Sequence, residues 1–154
     1  MPPHRQGISS GRRAPRLSTR ASLRVGTVVY HGTRSLDDFA DLDGPAWVTR
    51  ERSVAVVFSG GLRPRGEGEG RPRIMVYRVA ARNTLRVFRS TDHIDRFMSA
   101  SGYEPGEYDV QDMIDATCAA GFDGWTVPDN YRPGDDTMLC EPADVLELLR
   151  VEDP

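Results

Sequence analysis

The chain contains no lysine; all twenty of its basic residues are arginine. It has three histidines, His4, His31 and His93, and two cysteines, Cys118 and Cys140. Two cysteines do not make a disulfide framework, and no CxxC or Cys/His cluster has metal-ligand spacing, so reduced thiols and no metal are expected. No apolar run approaches the roughly 18 residues of a membrane span, and no apolar core of a secretory signal is present. A cytoplasmic protein is therefore expected, with a secreted effector left open. There is no GxGxxG, no P-loop, no strict alternation of strand and helix and no internal repeat, which disfavours doubly wound nucleotide-binding folds.

What the chain does have is unevenly distributed. Its 154 residues suffice for one domain with a sizeable core. Residues 1–24 hold Arg5, Arg12, Arg13, Arg16, Arg20 and Arg24 and no acid, so the remainder carries −9 of an overall −3. An acidic body argues against a basic nucleic-acid groove across it. Residues 1–22, rich in Arg, Ser, Pro and Gly, are expected to be a disordered tail, either inert or a tether for nucleic acid or a membrane surface. The domain proper is placed at 23–154.

The pattern predicts many short strands with a few helices in irregular order, an α+β domain. A strand is read from Leu23 to Tyr30, ending on His31 and Gly32, then a helical turn at 35–39 and a short strand over 46–49. Thr49 is read as cap of a helix over 51–59 whose Val54, Val57 and Phe58 form one apolar face. A glycine-rich loop follows over 60–71. Residues 74–79 and 84–88 read as a hairpin, turning at Arg82-Asn83. Helices are expected over about 90–99, with Ser90 or Thr91 as cap, and over 110–118, ended by Gly121. Strands are placed at 122–127 and 136–140, and a last helix starts at Pro142 with Val145, Leu146, Leu148 and Leu149 inward.

Three places can carry chemistry. In Tyr30-His31-Gly32-Thr33 the histidine can simply bond a backbone carbonyl, or it can offer a ring nitrogen to a sugar hydroxyl. The glycine there lets a flat carboxamide lie against the backbone. In Ala46-Trp47-Val48-Thr49, followed by Ala55 and Phe58, the two large aromatics read either as core or as a slot for a flat ring. The third is Gly121-Phe122-Asp123-Gly124-Trp125 followed by Asp135-Asp136-Thr137-Met138-Leu139-Cys140-Glu141. Asp136 opens a strand and can enter a cleft. Asp135 is the alternative if the register differs by one, although it would face the other way. Glu141, just before Pro142, reads as a helix-terminus charge.

Taken in order, Tyr30-His31-Gly32-Thr33, Ala46-Trp47-Val48-Thr49 with Ala55 and Phe58, Gly121-Phe122-Asp123-Gly124 and Asp136 to Cys140 resemble the ADP-ribosyltransferase superfamily. The likeness is to its diphtheria-toxin/poly(ADP-ribose)-polymerase-like (His-Tyr-Glu) branch, in a small single-domain bacterial or phage form. It runs from about residue 26 to 149. The resemblance implies two packed, mainly antiparallel sheets with flanking helices around an NAD cleft. It implies a mono-ADP-ribosyltransferase with NAD as co-substrate and no metal. Nicotinamide is released and ADP-ribose moves to an unidentified acceptor, a protein being favoured over nucleic acid. A cognate inhibitor protein is a further possible partner.

The same resemblance implies roles for individual residues. His31 would bond a ribose hydroxyl, Gly32 the carboxamide, and Trp47 and Phe58 would stack the nicotinamide; Thr33 belongs to the NAD-contacting strand. Asp136 would bond the ribose 2′-hydroxyl and stabilise the developing positive charge, which makes His31, Trp47 and Asp136 the catalytic set. Trp47 stands where the branch has tyrosine, and Asp136 where it has the longer glutamate. These departures keep open a catalytically silent module that binds NAD or a partner, and an NAD glycohydrolase. An RNA 2′-phosphotransferase shares the fold, but the basic cluster expected in its body is not evident. The arginine, Ser-Thr-Ser and Glu-x-Glu pattern of the cholera-toxin-like branch is absent.

Overall fold

The most continuous apolar run, Ile74-Met75-Val76-Tyr77, forms the middle of β4 (Arg73–Val79), in which only Arg78 is exposed. A strand apolar on both faces must be covered on both. In the computed structural model, which describes residues 18–34, 44–60, 66–128 and 136–154, it is. β4 lies between β2 (Val28–Thr33) and β8 (Leu146–Glu152), antiparallel to each. One face of this sheet packs Met75, Tyr77 and Val79 with Val29 into the main core. Its other face packs Ile74 and Val76, with Tyr30, against Ala55 and Val56 of helix α1 (Arg52–Phe58).

The second sheet has five strands: β1 (Arg20–Ala21), β5 (Leu85–Val87), β6 (Gly124–Thr126), β7 (Thr137–Leu139) and β3 (Ala46–Val48), in that spatial order. All its pairs are antiparallel except β5 with β6. Its inner face contributes Val48, Leu85 and Leu139 to the core shared with the first sheet. Its outer face carries Trp125 and Met138, which pack with Phe88, Trp47, Ile94, Phe97, Met113 and Ile114 under α2 (Thr91–Ala100) and α3 (Val110–Ala119). The chain is thus an α+β domain of two mainly antiparallel sheets with a few helices. None of the described helices is long and apolar enough to cross a membrane.

The helix ends follow local chemistry. Ser90 caps α2 by accepting from the His93 backbone N–H. Asp109 and Asp112 form a reciprocal capping box on α3. At its other end Gly121, at φ +90°, donates to the Cys118 carbonyl while Phe122 donates to that of Thr117, the paired bonds of a Schellman motif.

Several expectations are corrected. The segment after Pro142 is a single helical turn, α4 (Pro142–Val145), and then strand β8; Val145 and Leu146 are buried but Leu148 and Leu149 are 40% and 41% exposed. Pairing along β4 outweighs the helical spacing of these leucines, and a register shift opposite Val76/Tyr77 leaves Leu149 as a bulge. Residues 74–79 and 84–88 are not a hairpin. The buried Asn83 side chain bonds both the N–H and the carbonyl of Leu23, which draws β5 onto β1 in the other sheet.

The strand read from Leu23 begins at Val28, and His31 lies inside it rather than at its end. Arg20–Ala21, within the expected tail, pair with β5. Helix α1 buries Ala55, while Val57 and Phe58 are 75% and 58% exposed. Its N-cap is Glu51, and Thr49 instead accepts from the Glu51 N–H in the preceding turn. On α3, Val110, expected on one apolar stripe with Met113, Ile114 and Thr117, is exposed. The cysteines, expected as thiols, form a Cys118–Cys140 disulfide: the last turn of α3 sets Cys118 against the end of β7, with Cα atoms 5.9 Å apart. The helical turn at 35–39, residues 61–65 of the glycine-rich loop, the 129–134 loop, Asp135 and residues 1–17 lie outside the described residues.

Candidate active site

Among the described residues the two sheets are joined by one antiparallel bridge, in which Tyr30 of β2 and Thr49 just after β3 exchange both backbone hydrogen bonds, at 2.7 and 3.0 Å. Backbone groups alternate in direction along a strand, so two residues further on those of Gly32 and Trp47 turn toward the same gap. A continued ladder would join them. Instead the Trp47 carbonyl accepts a hydrogen bond from Nδ1 of His31 at 2.6 Å. The imidazole stands in for the next ladder bond, and the strands part.

A cavity of about 400 Å³ opens at this gap, lined by Tyr30, His31, Gly32, Trp47, Val48, Thr49, Phe58 and Asp136. A carbonyl can only accept, so the His31 proton sits on Nδ1 and the neutral ring keeps Nε2 as an acceptor. Burial pushes the His31 pKa down, against the raising effect of the Trp47 carbonyl, and so favours that neutral form.

Gly32 is required by packing as well. A Cβ built there would lie 1.8 Å from the Ala55 carbonyl oxygen and 2.8 Å from the Ser59 nitrogen. The absent side chain lets α1 lie directly on β2 and brings Phe58, at the helix end, to the cavity. Arg34, following β2, donates from Nε to the Ser59 carbonyl at 2.6 Å and reaches the Gly60 carbonyl at 3.4 Å. It also pairs with Glu69 at 3.5 Å, holding the C-terminal end of α1 in place.

Trp47 is both core and lining. It meets Trp125 edge to face, with ring centroids 5.5 Å apart, which fixes its plane. The pairings Trp47↔Met138 and Val48↔Thr137 carry β7 back so that Asp136 falls opposite Thr49, on the face that bears Trp47. The Val127 backbone N–H and the Thr126 side-chain hydroxyl both donate to the Asp136 carbonyl and anchor it there. Burial raises the pKa of its carboxyl, which has no hydrogen-bond or ion-pair partner among the described residues.

Of the residues singled out in the sequence, His31, Gly32, Trp47, Phe58 and Asp136 therefore meet at one cavity, and Thr33 is not part of its lining. Tyr30, Val48 and Thr49 were missed as lining residues, although each adjoins a residue that was chosen. Arg34 was missed too; its signal was a lone arginine directly after the His-Gly-Thr strand. Among the described residues no group of three or more His, Cys, Asp or Glu is placed to hold a metal. Comparison with protein-family models, curated proteins and solved structures found no match to this chain.

Proposed function

We propose that the cavity holds the nicotinamide riboside half of NAD and that the protein is an ADP-ribosyltransferase of the diphtheria-toxin/poly(ADP-ribose)-polymerase-like type. One observation carries the reading: five residues chosen for that chemistry, from three separate stretches of sequence, line a single cavity of about 400 Å³. The nicotinamide ring of NAD is a flat cation. The exposed Phe58 ring and the braced Trp47 offer it aromatic faces. The Gly32 backbone N–H and carbonyl, turned into the gap, match a carboxamide. Nε2 of His31 accepts from a ribose hydroxyl.

In the chemical step the bond between ribose C1′ and the pyridinium nitrogen breaks. Its electron pair leaves with neutral nicotinamide, and the positive charge moves onto the ribose ring. A carboxylate at Asp136 stabilises that charge and bonds the 2′-hydroxyl. Its partly desolvated setting strengthens attraction to a cation more than a surface setting would. An acceptor nucleophile then forms the new bond to C1′ and loses its proton to solvent. With water as acceptor the same cavity is an NAD glycohydrolase, and without the bond-breaking step it is an NAD-binding module.

The test is to incubate the protein with NAD labelled in the adenylate moiety and with cell extract, following both nicotinamide release and labelled acceptors. Release with labelling supports transfer, and release without labelling supports hydrolysis. Saturable NAD binding without release leaves only a binding module, and no binding removes the proposal. Asp136→Ala should abolish release while NAD affinity stays within a few-fold.

A further inference from the structure

Strand β8 ends the three-stranded sheet, and among the described residues no strand lies on its outer side. A free edge offers backbone donors and acceptors to a further strand. β8 is also where apolar side chains reach solvent: Leu148, Leu149 and Val151 are all exposed. Paired residues share a face, so Leu148 beside Tyr77 and Val151 beside Met75 continue the core-facing side of the sheet past its covered part. The strand Leu146–Glu152 has no proline to block pairing, and its charges are of both signs.

The direction of the β8 backbone follows from the bridge at the cavity. Tyr30 gives its N–H and carbonyl to Thr49 and so turns away from β4. Its partner Val76 therefore turns its own groups toward β8 and Arg150. The residue after Arg150 must face the opposite way, so the N–H and carbonyl of Val151 point out of the sheet edge. On the α1 side of the sheet Arg150 and Glu152 flank Val151, with Nε of Arg150 2.7 Å from the Glu152 carboxylate. Arg52 of α1 reaches the same carboxylate at 3.0 Å.

We propose that β8 pairs antiparallel with β8 of a second copy of this chain, about a twofold axis at Val151. A twofold axis through an antiparallel pair sets one residue opposite its own copy. Centred on Glu147, Arg150 or Glu152, it opposes like charges. Centred on Leu148 or Leu149, it sets Arg150 against a leucine. Centred on Val151, it sets Arg150 opposite Glu152 of the second copy, and the reverse. With the Arg150–Glu152 pair already on each strand, this makes a ring of four charges of alternating sign. Val151 exchanges both outward hydrogen bonds with its copy, and the two valine side chains meet on the core-facing side. The cavity lies beyond β4 and β2, roughly 10 Å from β8, so both cavities stay open. The contact is short and belongs with weak interfaces. It stands independently of the NAD reading, because its test uses no NAD.

The measurement is sedimentation equilibrium of the full-length protein over about 1 μM to 1 mM. Wild type should rise from the mass of one chain toward that of two. Arg150→Glu and Glu152→Arg should each weaken association about tenfold or more, because like charges then face each other. Mixed in equal amounts, these two variants should regain it, since each supplies the charge that the other lacks. Val151→Pro removes an outward N–H, spares the bonds to β4 and suits an edge strand, so it should weaken association while thermal melting stays near wild type. Single-chain mass of the wild type across the whole range would overturn the proposal and leave the edge to a strand of another protein. Arg150→Glu or Val151→Pro associating as tightly as wild type would overturn it too, as would a mixture of the charge variants that associates no more tightly than either alone.

Discussion

Replacing Gly32 by alanine tests the geometry of the cavity with a single methyl group. That methyl would start 1.8 Å from the Ala55 carbonyl oxygen and 2.8 Å from both the Ala55 carbonyl carbon and the Ser59 nitrogen. These are backbone atoms, so no side-chain rotation relieves the overlap. Helix α1 must withdraw from β2 by about 1.5 Å to restore ordinary contact. Overpacking of this kind costs about 1–3 kcal/mol, a fall of roughly 3–12 °C in melting temperature for a chain of this size. The withdrawal also carries Phe58 away from Trp47. A misplacement of about 1 Å can cost on the order of 100-fold in rate. Thermal melting and nicotinamide release on the same preparation read both effects. A Gly32→Ala protein that melts within a degree of wild type and keeps its activity would refute the close approach of α1 to β2, and with it the account of how Phe58 reaches the cavity.

Other outcomes follow from charge and connectivity. NAD binding needs neutral His31 and the chemical step needs ionised Asp136, so activity should fall on the acid side as either group takes up a proton. Because burial lowers the His31 pKa, its contribution to folding is present above the ordinary histidine value and is lost as pH falls through the lowered one. Asp136 has the opposite sign: its pKa is raised, so its contribution is lost as pH rises through the raised value. Asp136→Asn should therefore melt slightly higher than wild type at pH 8, by less than about 1 kcal/mol because the group is half exposed, with no gain near pH 3. The same variant should release nicotinamide about 100–1000-fold more slowly. An Asp136→Asn protein both less stable at pH 8 and fully active would contradict both claims. The Cys118–Cys140 bond closes a loop of sequence separation 22 that contains β6, β7 and Asp136. Reduction, or Cys118→Ser with Cys140→Ser, should cost about 3 kcal/mol, visible as a fall of about 10 °C; unchanged melting in reductant would count against the bond.

The sequence was most informative where one residue type has one physical consequence. The apolar run Ile74 to Tyr77 marked a strand, Ser90 marked a cap, and Gly121 marked a helix end. His31, Gly32, Trp47, Phe58 and Asp136 were picked out as an ordered set by the resemblance, and all five line one cavity. What joins the segments that carry them was not legible. Leu146 to Glu152 has helical spacing of leucines, yet the unpaired edge of β4 takes it as a strand. Asn83 looked like a turn residue, and its amide is spent on Leu23, sixty positions away in sequence. The disulfide depends on where α3 ends in space, which a spacing of 22 does not reveal. The exposure of Phe58 likewise follows from the missing side chain at Gly32, since Ala55, not the bulkier valines, is what fits against bare backbone.

The bridge between Tyr30 and Thr49 puts the eight strands in one unbroken sequence of neighbours: β1, β5, β6, β7, β3, then β2, β4 and β8. Seen this way the molecule is a single folded ribbon with one seam left unstitched, and the cavity is the open length of that seam. The seam stays open because a histidine ring occupies the carbonyl that the next stitch would use. His31 is then a spacer between the two strands. With alanine there, the Trp47 carbonyl is released for the next ladder bond, so the opening should narrow as the contact is lost.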